Sequence, residues 1–175
     1  RDVLFPLLPD GILARMASIA RGERPAPPLV RKGRYCARFA EDARDRAATL
    51  ALRAACFRGG APDADAFDPV CRHVLVEDRQ TGALVGSFRL LTLADGAEAG
   101  NSYSAQHYDL SPLSGMGGAM VELGRLCVAP GPRDADILRV AWGAAAAIVE
   151  ASDVGMLFGC TSFPGVDPTR YTEAL

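Results

Sequence analysis

The sequence predicts an α+β fold built on a mixed sheet flanked by helices. Three observations carry that expectation. The β-rich and helical runs follow one another as β, α, β, β, a long connection, β, α, β. The second and third β runs are separated only by a glycine-containing turn, which makes an antiparallel pair. The last strand, helix and strand form the kind of unit that joins parallel neighbours. With 175 residues, 49% of them hydrophobic, the chain can bury one substantial core but not two.

Residues 11–20 form a short apolar-periodic piece, and 24–28 (Arg-Pro-Ala-Pro-Pro) cannot lie inside a helix. Residues 1–30 therefore read as an N-terminal arm with a proline-rich hinge, and 31–175 as the folded domain. Tyr35, Ala37 and Phe39 alternate with Cys36 and Arg38, a first strand. Glu41 and Asp42 then open an Ala, Leu and Arg-rich helix that runs to about Arg58, where Gly59-Gly60-Ala61-Pro62 stops it. After an acidic loop over 63–69, residues 71–77 and 83–91 are strands joined through Asp78-Arg79-Gln80-Thr81-Gly82. Residues 92–118 are irregular. Residues 120–128 read as a central strand that carries two charges, Glu122 and Arg125. Pro130-Gly131-Pro132 breaks the chain, Asp134 is set to cap a helix over 137–151, and the small residues 143–147 suit close packing on a sheet. Residues 154–160 read as a last buried strand.

Residues 1–58 hold 12 Lys and Arg against 6 Asp and Glu, and residues 59–175 hold 7 against 15, so a basic front precedes an acidic remainder. That front predicts an acidic protein partner or peripheral contact with an anionic membrane surface. The chain is not nucleotide-binding by any recognised pattern: no Walker loop, dinucleotide glycine motif or G-x-S-x-G occurs. Five cysteines with no C-x-x-C pair predict a reducing compartment and no zinc site, and no export signal opens the sequence. A cytoplasmic protein is expected. The first residue is Arg1, which suggests a chain that begins inside a longer reading frame.

Two charges on an otherwise apolar strand need a partner or a function. Glu122 and Arg125, three apart, point to opposite faces unless a bulge at Gly124 re-aims one of them. Arg89 stands isolated among Phe88, Leu90 and Leu91. Asp65 and Asp68 flank Phe67 in a loop that can turn two carboxylates toward one cation, with an Asx turn as the plainer reading. His73 and His107 make no metal set and read as structural. Cys160 and Ser162 have no histidine base nearby in sequence, so no covalent intermediate is expected.

Six blocks, in order from about residue 35 onward, resemble a known family. They are 52–57 (Leu-Arg-Ala-Ala-Cys-Phe), 65–73 (Asp-Ala-Phe-Asp-Pro-Val-Cys-Arg-His), 85–91 (Val-Gly-Ser-Phe-Arg-Leu-Leu), 103–110 (Tyr-Ser-Ala-Gln-His-Tyr-Asp-Leu), 122–125 (Glu-Leu-Gly-Arg) and 158–165 (Phe-Gly-Cys-Thr-Ser-Phe-Pro-Gly). Together they look like the L-ornithine Nα-acyltransferases of bacterial ornithine-lipid synthesis, within the GNAT-like acyltransferase superfamily. The Arg, Asp/Asp, Arg and Glu/Arg series is shared with acyl-homoserine-lactone synthases, whereas the Cys-x-His and Phe-Gly-Cys blocks favour the former.

The resemblance implies a GNAT-like sheet and transfer of a 3-hydroxyacyl chain from acyl carrier protein to the α-amine of ornithine, by direct attack on the thioester. No cofactor stays bound, since 4'-phosphopantetheine arrives on the carrier protein. Glu122 is then the expected base, with Arg125 beside it. Asp65 and Asp68 are expected to bind the cationic ends of the acceptor, and Arg53, Arg89 and Arg125 to hold its carboxylate or lock the acidic loop. Leu126, Cys127, Val128 and Ser162 fall where splayed strands hold the acyl-pantetheine arm. The loop after Val128 lacks the glycine pattern that grips coenzyme A pyrophosphate, which again favours a carrier-protein donor. The chain stops without the C-terminal helix and strands with which the superfamily continues, so a fragment is expected. An acyl-homoserine-lactone synthase, or an inactive module that binds acyl carrier protein or membrane, are the alternatives.

Overall fold

The computed structural model describes residues 27–131, 134–161 and 169. Much of the expected arm and hinge, and Ser162, lie outside the described residues. Strands β1 (Val30–Lys32), β2 (Tyr35–Phe39), β3 (Arg72–Asp78), β4 (Leu84–Leu93), β5 (Met120–Val128) and β6 (Met156–Phe158) form, among the described residues, one six-stranded sheet in chain order. Neighbours from β1 to β5 are antiparallel, and β5 pairs with β6 in parallel. Helix α1 (Ala43–Phe57) connects β2 to β3, and α2 (Ala135–Ala151) is the crossover between the parallel strands. The α+β mixed sheet expected from the sequence is the fold observed.

Local chemistry sets the boundaries. Asp42 caps α1 by accepting from Asp45 N at 2.8 Å, and Asp134 caps α2 by accepting from Asp136 N at 2.9 Å. The Tyr35 hydroxyl donates to Asp134 Oδ2 at 2.9 Å, which ties the start of α2 to β2. In the β3–β4 hairpin Asp78 accepts from Gln80 N and Thr81 Oγ1, both at 3.0 Å, and Gly82 takes φ +73, a value glycine adopts without a Cβ penalty. Strand β1, which straddles the expected boundary between arm and domain and was not foreseen as a strand, is three residues long and largely exposed, too short for an alternation signal. Strand β6 is likewise shorter than the expected 154–160 and only partly buried.

The two faces of the sheet differ in chemistry. On one, Val74, Val76, Phe88, Leu90 and Val121 pack against Ile137, Val140, Ala141, Ala144, Ala145 and Ile148 of α2. Ala144 and Ala145, within the predicted small-residue run, are fully buried, which brings the helix backbone close to the strands. On the other face lie α1, the loop over 59–71 and the connection 94–118, which folds into three short 3-10 turns. There the apolar cluster of Leu91, Leu93, Met120, Phe67, Met116 and Phe158 fills one end. The other end is polar, because the buried residues of α1 are Thr49 and Arg53, one turn apart.

The β5–β6 pairing is brief: Met120, Val121 and Glu122 face Met156, Leu157 and Phe158, and no further ladder follows. At Gly159 a Cβ would collide with the Leu123 carbonyl, so the glycine lets the two chains touch where the ladder ends. Beyond that point the strands part. The edge of β5 from Leu123 onward lacks a strand partner on that side among the described residues.

Candidate active site

The parted strands open a cleft of about 890 Å³. It is lined by the polar groups of Arg89, Tyr103, Glu122 and Arg125 and by the apolar side chains of Phe57, Leu126, Trp142 and Leu157. Trp142 on α2 is 52% exposed. The cleft therefore joins the two sides of the sheet through the gap between β5 and β6.

Arg125 reaches this cleft because β5 bulges. Opposite Ser87 and Arg89 of β4 stand Cys127 and Gly124, so β5 carries one extra residue between the two pairs. Arg125 itself takes φ +55, a left-handed conformation that costs a non-glycine residue energy. The sequence reading placed the bulge at Gly124; it falls one residue on, and Gly124 instead pairs with Arg89 across the β4–β5 ladder. Because of the extra residue, Glu122 and Arg125 both line the same cleft.

Glu122 is 5% exposed. Its Oε2 accepts from Tyr103 N at 2.9 Å, and its Oε1 accepts from Ser104 N at 2.6 Å and from Ser104 Oγ at 2.5 Å. A carboxylate has about four acceptor positions, so three protein donors still leave one unfilled. The carboxylate thus anchors the turn at 103–106. Cys160 completes the cluster: its Sγ donates to Ser104 Oγ at 3.2 Å.

The arginines and aspartates form an alternating network. Arg53, 1% exposed, donates from Nε to Asp63 Oδ2 at 2.9 Å, from Nη2 to Asp63 O at 2.6 Å, and from Nη1 to Asp68 Oδ1 at 2.5 Å. Arg89 donates from Nη1 to Asp65 at 2.5 Å and Asp68 at 2.7 Å, and from Nη2 to Asp65 at 2.7 Å. Arg125 Nη2 reaches Asp65 Oδ2 at 3.3 Å, and its Nε lies 3.1 Å from Asp63 Oδ2 but off the hydrogen-bond axis. With the largely exposed Arg58, whose Nε donates to Asp63 Oδ1 at 3.2 Å, four guanidiniums meet three carboxylates, and planar bidentate pairing fixes the loop to the sheet. Arg125 also stacks over Tyr103, 4.9 Å from its centroid, and Tyr103 packs edge-on against Phe67.

The structure therefore brings together Arg53, Asp65, Asp68, Arg89, Glu122 and Arg125. Asp68 is enclosed between Arg53 and Arg89, while Asp65 and Arg125 keep a partly open face, 23% and 19% exposed in their side chains. Leu126 lines the cleft, whereas Cys127 is buried and Val128 O accepts from Cys56 Sγ at 3.3 Å. His73 is structural: its Nε2 lies 3.1 Å from Asp68 O, to which it donates, fixing the loop's end. Sequence reading missed Asp63, Tyr103 and Ser104 as site residues. Asp63 carried a signal, an acidic residue just after a helix stop, but nothing in the sequence says that a loop aspartate meets three arginines.

Burial alone raises the Asp65 and Asp68 carboxyls, but the guanidiniums of Arg89 and Arg53 outweigh it and hold both below the usual carboxylate range. Burial lowers the His73 imidazole. The signs follow by linkage. Below about pH 6.5 the unfolded chain binds a proton at His73 that the fold resists, so stability declines from there; the carboxylates' contribution is complete above about pH 4 and is lost below it. A melting-temperature series should show a shallow fall starting near pH 6.5 and a steep one below about pH 4. His73→Gln should remove the shallow part alone; its persistence would assign that part to another group.

Residues 33–143 match the family described as acetyltransferase (GNAT) domain. An L-ornithine N(alpha)-acyltransferase of Rhodobacter capsulatus is 36% identical over 158 residues, 81% of this chain and 61% of that one. The Brucella abortus protein of the same name is 34% identical over 120 residues, 65% of this chain and 43% of that one. This chain thus spans less than two thirds of the length of either relative. A Trypanosoma brucei acetyltransferase of known structure superposes with a TM-score of 0.48 at 14% identity, covering 81% of this chain and 92% of that one. The family match runs from β2 through β5 into α2, the part of the fold that carries the charge network and one of the two parted strands, and on that match the chain belongs to the GNAT acyltransferases, homologous to the L-ornithine N-acyltransferases.

Proposed function

We propose that this chain transfers a 3-hydroxyacyl group from acyl carrier protein to the α-amine of L-ornithine, giving lyso-ornithine lipid. The observation that carries the reading is Glu122 at the head of the cleft, in a chain homologous to proteins named for this reaction. An ammonium must lose a proton before it attacks a thioester carbonyl, and a carboxylate with one open acceptor position is a suitable base. Arg125 and Asp65, the most open members of the network, are placed to take the acceptor's carboxylate and its second cationic end. Leu126, Leu157 and Trp142 offer apolar surface to the donor's chain and pantetheine arm. The edge of β5 beyond Leu123, without a strand partner among the described residues, presents backbone groups that suit a thioester carbonyl and an extended amide-bearing arm.

The carrier protein is the proposed donor partner and the arginine-rich front the proposed surface for it, with a cytoplasmic location and peripheral contact at an anionic membrane surface proposed alongside. No described helix is long and apolar enough to cross a membrane. The test offers 3-hydroxyacyl carrier protein with ornithine, lysine or S-adenosylmethionine in parallel and identifies products by mass. Acyl-ornithine is the expected product. Acyl-homoserine lactone from the third acceptor would redirect the reading, and no product from any acceptor by folded protein would overturn it.

A further inference from the structure

Direct attack on a thioester has two proton problems, and the base solves one. The amine must lose a proton, and the departing thiolate must gain one. The structure shows a hydrogen-bonded chain from the base to a second protic group in the same cleft: Glu122 Oε1 to Ser104 Oγ at 2.5 Å, and Ser104 Oγ to Cys160 Sγ at 3.2 Å. Both ends line the cleft, Glu122 on β5 and Cys160 just past β6 where the strands part. Ser104 is 3% exposed, so its hydroxyl is reserved for these two partners rather than for water. The Cys160 thiol is free and partly buried.

Resting on the proposed N-acyl transfer, we infer that Cys160 is the general acid that protonates the leaving thiolate, and that Ser104 returns the proton from Glu122. The acceptor's ammonium first loses one proton, by way of Glu122, to solvent; the neutral amine nitrogen then forms its bond to the thioester carbonyl carbon as a second proton passes to Glu122. The C–S bond breaks, and the departing sulfur takes the proton from Cys160 Sγ. The Ser104 hydroxyl turns from Glu122 to the Cys160 thiolate, delivers its proton there, and recovers one from Glu122. Nothing is oxidised or reduced. One proton has moved from nitrogen to sulfur, and every residue ends as it began. A thiol carries the one transferable proton the task requires. Hydroxyl rotation gives Ser104 both directions without moving the backbone. The arrangement also gives a use to a cysteine for which the sequence supplied no histidine.

The discriminating variable is the leaving group. An alkyl thiolate, such as that of the carrier protein's pantetheine, needs the acid; an aryl thiolate, such as 4-nitrothiophenolate, leaves without it. Acyl transfer to ornithine is measured for the parent, Cys160→Ala and the near-isosteric Cys160→Ser, with 3-hydroxyacyl carrier protein and with the 4-nitrothiophenyl ester of the same acid. Both variants should lose about 100-fold with the carrier-protein donor and less than about 3-fold with the aryl ester. Equal losses with the two donors would assign Cys160 to packing and overturn the inference, as would full activity of either variant with carrier protein. If the parent itself makes no acyl-ornithine, the acyl-transfer reading fails and the relay falls with it. If the parent is active and Cys160→Ala matches it, the relay alone falls.

Discussion

Glu122→Gln should lower acyl transfer to ornithine by about 100-fold, the scale of a positioned general base. The substitution has two effects that one rate constant merges. It removes the proton acceptor, and it places an amide NH2 against one of three donors, Tyr103 N, Ser104 N or Ser104 Oγ, that now converge on the carboxylate. A pH profile separates them. With the base in place, the parent should hold a plateau around neutrality. Without it, only acceptor that has already lost its proton reacts, so the residual rate should climb about tenfold per pH unit until the α-amine's own pKa near 8. A variant that is slow yet keeps the parent's profile would mean that Glu122 serves the turn at 103–106 and that the base lies elsewhere. Unchanged activity would remove Glu122 from the mechanism.

Arg53→Met should be the most damaging single change to stability, at about 3–5 kcal/mol, the range for removing one partner of a buried ion pair. Methionine fills similar space, so lost volume is a minor part. The loss comes from what remains: Asp63, 2% exposed in its side chain, would keep only the off-axis Arg125 Nε and the largely exposed Arg58. Its backbone carbonyl would lose the Arg53 Nη2 donor as well. Chemical denaturation with parallel tryptophan fluorescence reads the result, because Trp142 is the single tryptophan. The double change Arg53→Met with Asp63→Asn should recover part of the loss, since it removes the stranded charge. A loss below about 1 kcal/mol would show that the network is worth no more than a surface pair.

These two expectations concern different layers of one device. Arg53, Asp63, Asp68 and Arg89 hold the acidic loop on the sheet, and their enclosure leaves little for a substrate to displace. Asp65, Arg125 and Glu122 face the cleft and are held in place by that frame. Placing functional charges on a rigid, charge-balanced support keeps them desolvated without letting them collapse on one another.

Most of the secondary structure was legible along the chain, because its signals are local. Asp42 and Asp134 cap their helices and Gly82 closes the hairpin, each by forces acting within a few residues. The charges on β5 and β4 announced a site for an equally local reason, since an apolar strand does not carry Glu122, Arg125 and Arg89 without partners. The short strands β1 and β6 were illegible or overdrawn, because three residues cannot show a period. What the sequence alone determined was the α+β order, the family resemblance and the residue types of the site. What only the tertiary structure decided was their pairing. Asp63 joins three arginines from α1, the following turn and β5; Arg125 enters the cleft only through an extra residue in β5; and Glu122, Ser104 and Cys160 meet across 18 and 56 positions of sequence separation. Such contacts depend on strand register and on where a ladder ends, and those are set by packing over the whole sheet rather than by any neighbouring residue.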